Sequence, residues 1–153
     1  MLSEIDNNAD VVWNSVKTVV TKKGTEDFRP KNDEEWAVVR HGAITLVEAP
    51  NLLIMEGRKV DKPGGKSENP GIELEPEQIE AKINADRATW IKLAHALQDE
   101  ARNVLKAVDE KNADALIDAG SRLDEACENC HVTYWYPNDV RPPLSSLSQA
   151  PSK

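Results

Sequence analysis

"LIDAGSRLDEACENCHVTYWYP", Leu116–Pro137, decides how this chain folds. Leu116, Gly120, Leu123, Cys127, Cys130 and Tyr134 recur at alternating spacings of four and three. That is the period of one face of an α-helix. Pro137 is expected to stop the helix, because proline has no N–H to donate and clashes with the preceding turn.

The same period recurs upstream. Ile5, Ala9, Val12, Val16 and Val19 form a stripe that predicts a first helix from about Ser3 to Lys22, ended by Gly24. Asn32 or Asp33 opens a second, with the stripe Trp36, Val39, Ala43, Leu46 and Ile54, and Pro50 should kink it. Pro76 opens a third, carrying Ile79, Ile83, Trp90, Ala94, Leu97, Ala101, Val104 and Val108. A polar break at Glu110–Asn112 leads into the fourth. Strand signals are poor. The expectation is an all-α domain over residues 1–137, an up-down-up-down four-helix bundle, followed by a Pro/Ser-rich tail at 138–153. The 56–76 loop, with three prolines and four glycines, joins the second and third helices. A loop that long in a compact domain is usually functional or disordered.

Charge narrows the partners. The net charge is −8, from 19 basic and 27 acidic residues, which argues against nucleic acid and against docking on an anionic membrane. A basic protein partner is compatible with it. No apolar run reaches the ~20 residues of a membrane span. The N-terminal residues lack the basic start and apolar centre of a signal peptide.

Cys127 and Cys130 are the only cysteines, and His131 follows the second. Cysteines three apart share one helix face, one turn apart. Two thioethers there would fix one edge of a flat macrocycle, and the adjacent imidazole would reach its iron. Cys-x-x-Cys-His is the signature of c-type haem attachment. The alternatives fit less well. Structural zinc wants four ligands, and His41 and His95 stand isolated. A redox dithiol normally opens a helix in a βαβ setting. A disulfide between residues three apart in a helix would be strained. Haem attachment implies export, with a signal segment removed or absent from this sequence.

At "CENCHVTY" the chain resembles the class II c-type cytochromes, the cytochrome c-prime group. Their C-terminal motif is Cys-x-x-Cys-His-x-x-Tyr, matched by Cys127, Cys130, His131 and Tyr134. "YWYP" in place of a basic residue after the tyrosine, the long loop and the tail mark a divergent member. The resemblance implies one covalent haem c near the end of the last helix, with His131 as proximal iron ligand. It implies electron transfer when a first-helix methionine fills the distal position, or gas binding at a five-coordinate iron when nothing does. It also implies that homodimers formed through the first two helices are common.

Helical geometry sorts the distal candidates. His41 and His95 project away from their apolar stripes, so they are expected to face solvent. Met1 falls within ~40° of the first stripe's centre, at ~100° per residue. Met55 sits at suitable depth, on a rise of ~1.5 Å per residue, but lies ~100° off its stripe. Met1 is therefore favoured and Met55 is the alternative. Ile5, Ile54, Ile83, Trp90 and Tyr134 are expected to line the pocket, with Trp13 and Trp36 in the core. Arg58, Lys59 and Arg87 are candidates for pairing with haem propionates. The expected function is a monohaem electron carrier rather than an enzyme. A gas-binding haem protein and a haem-free bundle with a redox cysteine pair are the alternatives.

Overall fold

The computed structural model describes residues 2–139, and it is mostly helical with one small two-stranded sheet. Met1 and most of the expected tail lie outside that range. A π-helical turn at Leu2–Asp6 runs into α1 (Asn7–Ser15). A hairpin follows, β1 (Thr18–Thr21) and β2 (Gly24–Asp27). Then come α2 (Asp33–Glu48), α3 (Pro50–Leu53), α4 (Pro76–Ala85), α5 (Arg87–Asp109) and α6 (Ala113–Tyr134). Helix α1 packs on α2, α2 on α5, α5 on α6, and α6 back on α1.

The hairpin corrects the first expected helix, which ends at Ser15 rather than at Lys22. Thr18, Val19, Val20 and Thr21 are four consecutive β-branched residues, which lose rotamer freedom in a helix and fit a strand. Val19, expected on the helix stripe, pairs with Glu26, and Val20 is 76% exposed. Gly24 does not cap a helix. It closes the two-residue Lys22–Lys23 turn with φ of 135°, a conformation that favours glycine.

The third expected helix is also two. Asp86 ends α4 and caps α5, accepting the Thr89 N–H at 3.1 Å. Thr89's hydrogen bonds hold the Asp86 carboxyl below its usual range. Ile83 and Trp90 stay in phase across this break, so the apolar stripe conceals it. Pro50 acts as expected. Helix α2 stops at Glu48 and Pro50 takes the first turn of α3. Asn32 caps α2 by accepting from the Glu35 N–H, and Asn112 caps α6 by accepting from Ala115. Helix α6 ends at Tyr134, before Pro137 is reached.

Two close approaches set α1. A side chain at Gly42 of α2 would meet Val11 at 3.3 Å, and one at Gly120 of α6 would meet Trp13 at 3.3 Å. The Trp13 indole donates to the Gly120 carbonyl at 3.1 Å. A side chain at position 120 would crowd the indole, which would have to give by a few tenths of an ångström.

The buried residues form two clusters. The larger runs through α1, α2, α5 and α6 and includes Ile5, Val12, Trp36, Leu46, Val104, Leu116, Leu123 and Cys127. The smaller holds Ile83, Trp90 and Tyr134, with Cys130 and Leu93 packed against it. Leu53 packs against both.

Candidate functional site

Cys127 and Cys130 sit where these clusters meet, both as free thiols in the last two turns of α6. Cys127 belongs to the larger cluster and Cys130 packs on the smaller. Burial, reinforced by the charge of Asp124, pushes the Cys127 thiol up to about 12, and burial pushes Cys130 up to about 11. Asp6 also acts on Cys127, so the N-terminal turn lies at this end of the molecule.

These thiols are the reverse of an activated redox pair, which needs a lowered pKa. Against an ordinary thiol at 9.0, the thiolate population falls about a thousandfold at Cys127 and about a hundredfold at Cys130. Alkylation of the folded, haem-free chain at pH 8 should therefore be slow, with Cys127 slower than Cys130. Rates equal to those of the urea-unfolded chain would contradict this. The sign for stability follows. The folded state keeps these protons longer than the unfolded one, so their contribution is complete below pH 9 and is lost as pH rises from about 9 to about 12.

His131 follows on the next residue, at the end of α6. Its Nε2 is buried with no hydrogen-bond partner, alone among the side-chain nitrogens and oxygens of the described residues. An orphaned buried imidazole nitrogen is costly unless something binds it. The other nitrogen, Nδ1, faces Glu128 Oε1 at 3.5 Å. Tyr136 Oη donates to that same Glu128 oxygen at 2.7 Å. The Trp135 ring stands perpendicular to the imidazole at 5.0 Å between centroids, and Tyr136 lies at 5.7 Å.

The smaller cluster is built by side-chain hydrogen bonds to exposed ends of backbone. The Trp90 indole donates to the Leu53 carbonyl at 2.8 Å and Arg87 Nη2 to the Ile54 carbonyl at 2.6 Å. Both carbonyls lie at the C-terminus of α3, where helix geometry leaves them without partners. Tyr134 Oη donates to the Asp86 carbonyl at 3.2 Å, and its ring meets Trp90 edge-on at 5.0 Å. The long loop is tied in as well. The Leu74 N–H donates to the Trp135 carbonyl at 2.8 Å, and Ser67 and Asn69 bond to Glu73.

Of the expected pocket residues, Ile83, Trp90 and Tyr134 gather beside Cys130, and Ile5 shares the cluster of Cys127. Ile54 is corrected. It is half-buried in neither cluster, and its carbonyl rather than its side chain is engaged. Arg87 is committed to that carbonyl, Lys59 pairs with Glu80 at 2.5 Å, and Arg58 is exposed. Met55 is 52% exposed on the irregular segment after α3. Met1 lies outside the described residues. His41 and His95 are exposed, as their phase predicted, Trp36 is buried and Trp13 half-buried.

Glu128, Trp135 and Tyr136 were not foreseen. Glu128 and Trp135 lie three before and four after His131, so helical spacing pointed to both. Tyr136 lies past the helix end, where spacing no longer fixes direction.

Comparison with family models, with curated proteins and with solved structures gives no match for this chain. Among the described residues no group of three or more His, Cys, Asp or Glu is placed to hold a metal ion. No helix there is long and apolar enough to cross a membrane.

Proposed function

We propose that this protein is an exported monohaem c-type cytochrome that carries electrons, built as an up-down-up-down helical bundle. The observation that carries the reading is the orphaned, buried Nε2 of His131, one residue beyond two free thiols on one helix face. The donor set suits a haem, which brings four nitrogens of its own and needs from the chain only axial ligands and anchors. The ring of contacts among α1, α2, α5 and α6 supports the bundle topology. Resemblance to the cytochrome c-prime group points the same way.

In this reading Cys127 and Cys130 would hold the macrocycle through two thioethers and His131 would supply a nitrogen ligand to its iron. When bound, haem supplies one-electron exchange between ferric and ferrous iron. The chain's own task is to set potential and access. Ile83, Trp90 and Tyr134 exclude water from one side, which disfavours the extra charge of the ferric state. A methionine on the distal side acts in the same direction. Met1 remains the favoured distal ligand, because the charge of Asp6, on the N-terminal turn, reaches the Cys127 thiol. Met55, half-exposed, is the weaker candidate. A basic redox protein suits the net charge of −8 as partner.

The reduced absorption spectrum, before and after carbon monoxide, tests the ligation. Sharp, split bands unmoved by carbon monoxide are expected. Met1→Ala should turn the protein high-spin and responsive to carbon monoxide, while Met55→Ala should not. A wild-type protein that already binds carbon monoxide would replace electron transfer by gas binding.

A further inference from the structure

Glu128 has no place in the proposed haem attachment, yet its carboxylate faces the imidazole of His131. We infer that Glu128 is a positioning residue that accepts the Nδ1–H of His131 and lowers the reduction potential of the bound iron. The inference rests on the functional reading above.

Three observations converge on it. Glu128 Oε1 lies 3.5 Å from His131 Nδ1, on the nitrogen opposite the orphaned Nε2. Tyr136 Oη donates to that oxygen at 2.7 Å and so restrains the carboxylate. Trp135 stands perpendicular to the imidazole at 5.0 Å and limits its rotation. The side chains are only partly exposed, 20% for His131 and 34% for Glu128, so water screens the pair incompletely.

The chemistry follows from the two nitrogens of one ring. A ligating histidine usually donates its free N–H to a carboxylate or carbonyl, which fixes its tautomer and makes the ligating nitrogen more basic. A more basic Nε2 favours ferric over ferrous iron. The carboxylate's negative charge acts in the same direction. Glu128 thus opposes the effect of the apolar cluster of Ile83, Trp90 and Tyr134, and the potential is the balance of the two.

The test uses the haem-loaded protein in wild-type, Glu128→Gln and Asp124→Asn forms. Asp124 is an exposed acid on the same helix whose charge also reaches Cys127, so it reports the loss of a nearby charge alone. Redox titration and solvent exchange of the His131 Nδ1 proton by NMR are the readouts. E128Q should shift the ferric–ferrous balance about tenfold toward ferrous, 59 mV for one electron. It should also speed exchange of that proton. D124N should give a smaller potential shift and leave the exchange unchanged. A haem-loaded E128Q with a potential no higher than that of D124N, or with unchanged exchange, overturns the role of Glu128 alone. Wild-type protein that never acquires haem overturns the functional reading, and this role falls with it.

Discussion

Replacing Cys127 and Cys130 together with alanine should abolish the covalent haem proposed above, on coexpression with haem-attachment machinery. Each single variant should keep one thioether, at a reduced yield. The expectation follows from the thiols' placement. They share the inner face of α6, and no other cysteine exists to substitute. Loss of fold is not expected to confound the result, for a physical reason. A typical point substitution costs about 1 kcal/mol, and alanine suits a helix. Circular dichroism of the double variant should therefore match the wild type made without haem. Haem that survives denaturation in the double variant would show that attachment lies elsewhere.

Leu123→Ala should destabilise the fold by about 2–5 kcal/mol, because it leaves a cavity in a core that closes only partly around it. Leu123 has no exposed surface and lies one turn before Cys127 on the stripe that faces the larger cluster. Against a total stability of about 5–15 kcal/mol, that is a large share. Urea unfolding measures it. Val132, 43% exposed on the same helix, provides the contrast, and V132A should stay within about 0.5 kcal/mol of wild type. Equal effects at the two positions would mean that the inner face of α6 has been misassigned.

Much of this was legible before any coordinates. The stripe of α6, the Asn32 cap, the break at Pro50 and the turn at Glu110–Asn112 all follow from period and capping chemistry. The misses have physical causes. Val16 and Val19 continue the phase of α1, but four β-branched residues in a row prefer the hairpin that periodicity alone does not weigh. Asp86 breaks a helix without breaking its stripe, since Ile83 and Trp90 are seven apart. In the candidate site, the packing of Cys127, Cys130 and Tyr134 along the inner face of α6 was readable from their spacing. The Arg87–Ile54 contact was not, because the carbonyl of Ile54 makes it and not the side chain. Nor was the Glu128–Tyr136 contact, which depends on how the chain leaves α6.

The central claim is that one haem is bonded to this chain through Cys127 and Cys130. Its most direct test is the mass of the denatured wild-type protein after coexpression with haem-attachment machinery, with peptide mapping of the modified segment. The predicted result is a mass increase of one haem, carried by the peptide that contains "CENCH". An unmodified mass from cells that mature a control cytochrome in parallel would contradict it.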